Sequence, residues 1–368
     1  MGTVMKKFVW SVLALGLSTA PALAQTPAPV PPSVEVGGLV DVYYDYYSTK
    51  PDVGGVATYR NFDTKHNQFA LSMAEVWLAK APTASSRVGF KFKLNFGPAA
   101  TDYIHCCEPG GSAYQNIQEA YASYLAPVGK GLQIDAGVFV TPAGAEVIEA
   151  KDNANYSRGL LFSLAIPYYH SGVRVNYPLS DKVSLMGGVV NGWNNIVENN
   201  TGKTLISGVT LKPTSSLSVV GNYIAGPEQS GSNDEWRHLF DGIVTLQVMP
   251  TLSVMANYDY GHETAGATSV QWQGIAGYLK FQPTAAIAFS PRLEFFNDED
   301  GFTTGHVQKL KEVTGTLELK ASDSLQWRIE YRRDWSDVSP FVNAKGEAKD
   351  NQQSIGFGLL YSFAGKIQ

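Results

Sequence analysis

Charged side chains alternate with large apolar ones in the stretch SLQWRIEYRRDW, residues 324–335. In a β-strand, Arg328, Glu330 and Arg332 would share one face, and Trp327 and Tyr331 would lie on the other. Arginine and glutamate side by side can hold water, pair with each other or set a field for passing ions. Which of these they do depends on what surrounds the strand.

Residue types used in catalysis or metal binding occur, but their spacing favours neither. His170 and Ser171 are adjacent, so a strand would point them to opposite faces. Asp259 and His262 lack an identifiable third partner. The HCCE stretch at 105–108 contains metal-ligand types, yet adjacent ligands rarely close a tetrahedral site. We therefore predict no enzyme activity, no metal and no cofactor, while a redox or intermolecular role for the two cysteines stays open.

The N-terminal region predicts export. Lys6 and Lys7 precede an apolar run and an Ala-Leu-Ala cleavage pattern, which indicates a signal peptide at 1–24. Residues 25–33 are proline-rich and predict a short extended periplasmic linker. Residues 34–368 have a uniform composition, which predicts a single domain.

The composition excludes several classes of protein. The net charge of −5 gives no reason to expect nucleic acid as a partner. Two adjacent cysteines cannot form a disulfide scaffold. After the signal peptide, apolar runs are too short for membrane-spanning helices.

Alternating segments of about ten residues recur along the chain and are joined in turn by short turns and longer polar loops. They predict sixteen strands, at 34–47, 67–80, 86–96, 116–126, 131–140, 168–177, 182–191, 203–212, 216–225, 238–249, 251–260, 271–281, 285–296, 308–321, 324–335 and 353–363. Three of these segments alternate poorly, so the number of strands could differ from sixteen by two.

Two strand faces of opposite chemistry favour a membrane barrel. Sixteen such strands in a soluble protein would need a very large shared core, whereas in lipid the apolar face meets acyl chains and closure pairs every backbone group. We predict an all-β fold, a transmembrane antiparallel up-and-down β-barrel with short periplasmic turns, long extracellular loops and a water-filled interior. Aromatic residues near strand ends are expected in interfacial girdles, among them Tyr43, Tyr44, Tyr46, Tyr47, Tyr168, Tyr169, Tyr258, Tyr260, Phe295, Trp335, Tyr361 and Phe363.

Longer stretches resemble a known family. The final strand, SIGFGLLYSF, is similar to the C-terminal assembly signal of bacterial outer-membrane barrels, although AGKIQ follows it. NIQEAYASYLAP, the segment from GLQIDAGVFV to NYPLSDK, and VVNGWNN resemble the putative bacterial β-barrel porin-2 family. The resemblance implies the outer membrane of a Gram-negative bacterium, assembly by the barrel-assembly machinery, pore activity and, by analogy, a homo-oligomer.

The loop at 141–167 is the predicted constriction. In sixteen-stranded general porins the third surface loop folds into the lumen, and this loop is similar in order and length. Its candidate residues are Glu146, Glu149, Lys151, Asp152 and Arg158. The alternative is a short surface helix at 144–151 with solvated charges.

A second set of charges is predicted to face the lumen. It comprises Lys91, Lys93, Asp135, Arg174, Asp259, Arg292, Glu294, Arg328, Glu330 and Arg332, together with Asp41 and Asp45. These charges could create an electric field across the lumen, or they could only pair with one another and keep the lumen hydrated. Because both positive and negative residues are numerous, the ion selectivity cannot be predicted from their counts.

The expected function is passive diffusion of small hydrophilic solutes or ions through a channel in outer-membrane lipid. The alternative is a plugged or structural barrel whose loops act as a surface receptor or adhesin.

Overall fold

The computed structural model describes residues 33–51, 55–106, 111–266 and 268–367. The predicted signal peptide and all but the last residue of the predicted linker lie outside this part of the chain. Sixteen antiparallel strands form one closed barrel, as predicted. They are β1 (Val34–Tyr47), β2 (Phe69–Lys80), β3 (Val88–Phe96), β4 (Ile117–Ala126), β5 (Leu132–Val140), β6 (Tyr169–Pro178), β7 (Val183–Val190), β8 (Thr204–Leu211), β9 (Leu217–Pro227), β10 (Trp236–Met249), β11 (Leu252–Ala265), β12 (Thr268–Thr284), β13 (Ile287–Asp298), β14 (Gln308–Lys320), β15 (Leu325–Ser336) and β18 (Asn351–Ile367).

The barrel closes between its first and last strands. Strand β1 pairs with β18 along its whole length, from Val34 opposite Ile367 to Tyr47 opposite Ser354. All other neighbours are consecutive except that β18 pairs with β15, because a small hairpin of β16 (Phe341–Val342) and β17 (Ala348–Lys349) lies in the loop between them. Closure leaves no free edge in the barrel, so each of its sixteen strands has two partners for its backbone groups.

The two faces of each strand differ as the alternation predicts. On β15, Trp327, Ile329 and Tyr331 point outward and are 44–46% exposed. Arg328 and Arg332 point inward and are fully buried. The outer surface is therefore apolar, and the charged groups lie inside the barrel.

Aromatic residues near the strand ends divide between the two faces. Tyr46 and Tyr361 lie outside, with exposures of 39% and 48%. Tyr43, Tyr47 and Tyr169 are buried inside the barrel. The prediction that these three residues belong to an interfacial girdle was therefore wrong. Nearness to a strand end does not fix the face; Tyr43 and Tyr47 alternate in phase with Asp45, which faces inward.

At the end of the barrel that carries the long loops, one hairpin extends further than the sequence predicted. The sequence predicted a loop between residues 260 and 271, but β11 and β12 continue as a hairpin to Ala265 and Thr268. Gly266, with φ of +61°, lies in the connecting turn. This extension carries few apolar residues, so the pattern that marks a lipid-facing strand does not detect it.

Helical structure in the described chain is short. It consists of α1 (Leu160–Leu164), a six-residue π-helical segment at Ala99–Ile104, and 3₁₀ turns at Gly111–Tyr114 and Ala150–Asp152. Among the described residues, no helix has the length and apolar character needed to cross a bilayer.

Candidate functional site

The connection between β5 and β6, residues 141–168, runs into the barrel interior. In the closed strand order, β13 to β15 lie opposite β5 and β6. The loop reaches that wall, where Asn155 donates a hydrogen bond to Thr316 of β14 at 2.7 Å. It therefore crosses the full width of the lumen.

Three buried arginines on the opposite wall bind backbone carbonyls of this loop. Arg328 donates to the carbonyls of Ala150, Asn153 and Asn155 at 2.7–2.8 Å. Arg292 donates to the carbonyl of Ser157 at 2.7 Å, and Arg332 donates to that of Arg158 at 2.5 Å. Loop carbonyls buried outside regular structure need donors, and a guanidinium offers five in a fixed fork.

Carboxylates beside these arginines accept the loop's N–H and O–H groups. Glu330 accepts the backbone N–H groups of Tyr156 and Ser157 at 2.7 and 3.0 Å. Glu294 accepts the N–H of Leu160, and Asp41 accepts the Tyr156 hydroxyl at 2.6 Å. The wall of β13–β15 and β1 thus matches both donors and acceptors of the loop.

Two of the predicted constriction charges fix the loop in place. Glu146 accepts Arg292 and the N–H of Gly159, both at 2.6 Å. Glu149 accepts Gln118 of β4 at 2.7 Å and pairs with Lys93 of β3. Both side chains are at most 7% exposed, so their charges interact with partners inside the protein and not with water.

The other three predicted loop charges differ from one another. Lys151 and Asp152 pair at 2.7 Å, with side chains 28% and 52% exposed. Arg158 is buried; it donates to the Tyr156 carbonyl at 2.6 Å and lies 4.7 Å above the Phe62 ring. Lys151 and Asp152 are therefore the members of this set that reach water.

The return segment of the loop is apolar and packs inside the barrel. Leu160 and Leu161 of α1 and the following Ile166 are at most 4% exposed. The Trp272 indole of β12 donates to the Ala165 carbonyl at 3.1 Å. Buried aliphatic contacts of this kind contribute on the order of 2 kcal/mol per side chain.

The remaining predicted lumen residues all face inward. Lys91 pairs with Glu119 at 2.6 Å, and Arg174 with Asp135 at 3.0 Å. Asp259 and Asp45 are buried, at 0% and 3% exposure. Most of these charges have a partner of opposite sign or a hydrogen bond, in keeping with the cost of burying a lone charge.

Residues 33–363 match the family described as putative beta-barrel porin-2, OmpL-like. The chain belongs to this family. It is an outer-membrane β-barrel of a Gram-negative bacterium, and none of the curated proteins compared with it matches.

Solved porins share the fold of this porin-2 chain. A trimer form of OmpT from Vibrio cholerae aligns with a TM-score of 0.60 at 12% identity, over 90% of this chain and 99% of that one. An anion-selective porin from Comamonas acidovorans gives the same values. Salmonella typhi OmpF in complex with daunomycin has a TM-score of 0.59 at 11% identity, over 90% and 97%.

Two cavities flank the loop in the porin-2 barrel. One of about 270 Å³ is lined by Lys151, Asp152, Lys280, Thr245 and Ser253, among others. The other, of about 360 Å³, is lined by residues that include Lys91, Lys93 and Glu149. Water can therefore reach the charged side of the loop through both cavities.

Sequence reasoning missed a second loop inside the barrel. Arg60 pairs with Asp63 and lies 3.7 Å from Asp334 of β15, and all three are buried. Asn61 donates to the Tyr168 hydroxyl at 2.7 Å, which ties this loop to the end of the first one. The sequence carries only a weak sign of this loop, a single Arg-x-x-Asp spacing among aromatic residues in an otherwise polar segment.

In the HCCE stretch, Cys107 and Glu108 lie outside the described residues.

Proposed function

We propose that this barrel forms a narrow water-filled channel for passive diffusion of small hydrophilic solutes or ions. The observation that carries the proposal is the loop at 141–168, held across the lumen by Arg292, Arg328 and Arg332. A loop fixed at both walls reduces the cross-section without mobile parts. Lys151 and Asp152 then provide charge where water and the loop meet.

No catalytic role is proposed. The His170 ring bonds to the carbonyl of Gly192 at 2.9 Å and to Thr141 at 3.2 Å, so both of its nitrogens are occupied. The centre of the His262 ring lies 6.1 Å from that of His238, on the face of β11 opposite to buried Asp259. His170 is 0% exposed, so its contact with Thr141 is closed to a substrate, and His262 and Asp259 cannot act together across the strand.

One observation favours the alternative of a plugged barrel with surface-binding loops. Six inward residues that bind the loop are at most 5% exposed: Asp41, Arg292, Glu294, Arg328, Glu330 and Arg332. Any passage through the barrel at the height of the loop is small.

The OmpT structure is a trimer form, and we propose that this chain also forms a homo-oligomer.

Swelling of liposomes that contain the purified protein distinguishes the two functions. Neutral sugars and amino acids of increasing size are tested against protein-free liposomes. A channel predicts rapid swelling with the smallest solutes and a steep fall with size. No swelling with any solute, from protein whose circular dichroism is mostly β, would favour the receptor or adhesin alternative.

A further inference from the structure

An unusual group of cations lies on the outer surface of the barrel. In the extracellular halves of the barrel strands, lysines and arginines point inward except Lys309 and Lys311 of β14 and Arg333 of β15. These three are exposed and occupy adjacent strands. Lys311 lies opposite Trp335, and Arg333 lies opposite Val313, so the Lys311 and Arg333 side chains are diagonal neighbours on one face.

The height of this group on the barrel follows from its neighbours. Arg333 lies 5.6 Å over the Trp335 ring. Toward the middle of the strands, Tyr331 and Ile329 are 46% and 44% exposed and form the start of the lipid-facing band. Since tryptophan and tyrosine mark the interface of a bilayer, the three cations lie at the level of the lipid headgroups.

Ion pairs within the described residues do not neutralise these three side chains. In the part of the chain that the structure describes, no carboxylate forms an ion pair with Lys309, Lys311 or Arg333. Asp337 accepts the backbone N–H of Lys309 at 2.7 Å, and Asp350 accepts the Asn351 amide at 2.7 Å. Like charges on neighbouring strands repel, so the group is stable where an external anion lies between them.

We propose that Lys309, Lys311 and Arg333 form a binding site for the phosphate groups of an outer-leaflet glycolipid. A flat apolar wall directly below three cations fits a ligand with acyl chains below and phosphate above. Arginine binds phosphate in a bidentate way, and the two lysines add point charges. The site is on the outside of the barrel, so it does not depend on whether the lumen conducts.

Native mass spectrometry of the purified barrel with lipid A tests the site. The variant K309Q/K311Q/R333Q is expected to bind lipid A about 100-fold more weakly than the wild type, since each basic residue near a headgroup contributes a few-fold in affinity. Lipid A without phosphates should bind the wild type as weakly. Equal binding of phosphorylated lipid A to wild type and variant would overturn the proposal.

Two further variants separate a local site from a general effect of charge. K130Q/K182Q/K212Q removes the same charge from exposed residues at the periplasmic rim, and it should bind lipid A as the wild type does. The swap K309R/K311R/R333K keeps the charge and should stay within about threefold. Equal losses in the rim variant, or full displacement of lipid A by millimolar inorganic phosphate, would contradict a lipid site.

Discussion

At the level of single residues, the loop charges divide into those that hold the loop and those that meet water. Glu146 and Glu149 are buried and paired, whereas Lys151 and Asp152 are partly exposed. A side chain in contact with water acts on passing ions through a field that salt screens. Selectivity should therefore depend on the exposed pair.

We expect Lys151→Gln and Asp152→Asn to shift the reversal potential under a salt gradient in opposite directions. Loss of the cation should favour cation passage, and loss of the carboxylate should favour anions, because each change leaves the other charge alone. Lys345→Gln, in the exposed turn of the β16–β17 hairpin, is the matched control and should change nothing. Shifts of the same sign in both variants would refute this assignment.

Glu228 supplies a residue-level prediction about pH. It lies in the loop after β9, is 9% exposed, and accepts the Trp193 N–H and the Thr204 hydroxyl at 2.7 and 2.6 Å. Burial raises the pKa of this carboxyl to about 7. Because folding favours the protonated form, its contribution to stability is complete below the ordinary pKa and is lost as pH rises through about 7.

Glu228→Gln should remove that dependence, since an amide resembles the protonated carboxyl. Limited proteolysis of the loops between about pH 5 and 8 is the measurement. Wild type should become more susceptible as pH rises, and the variant should not. The same pH profile in both proteins would show that Glu228 does not control these loops.

At the level of elements, a small residue of β18 makes room for the loop. A Cβ added to Gly358 would lie 2.5 Å from the Tyr156 ring, whereas one added to Gly365 of the same strand meets nothing within 4 Å. Gly358→Ala should therefore displace Tyr156 and cost about 1–3 kcal/mol, as overpacking does. Thermal unfolding in detergent should show a lower midpoint for Gly358→Ala than for Gly365→Ala, and equal midpoints would contradict the packing account.

The strands could be predicted from the sequence, but most loop contacts could not. Alternation over β15 is local, so it fixes both the strand and the inward face of Arg328. The carbonyls that Arg328 binds belong to residues more than 170 positions away. Nothing in the period of a strand shows whether an inward arginine meets water or a loop. Arg60 lies in a loop, where no strand pattern exists to predict which way it points.

At the level of the whole molecule, the central claim is that a loop fixed by the β13–β15 wall narrows the lumen of an outer-membrane barrel. Two neighbouring arginines on β15 provide a matched comparison. Arg332 binds the loop from inside, and Arg333 lies on the outer face. Methionine at either position removes one charge from the chain, but only the change at Arg332 removes a donor from a loop carbonyl, and adding Arg328→Met removes the donor of three more.

Single-channel conductance in a planar bilayer tests this claim most directly. We predict small, discrete steps for the wild type and for Arg333→Met, and clearly larger steps for Arg328→Met/Arg332→Met, because four backbone carbonyls lose their donors. Circular dichroism confirms that each protein is folded. Steps of equal size in all three proteins, or silence in all three, would contradict the account.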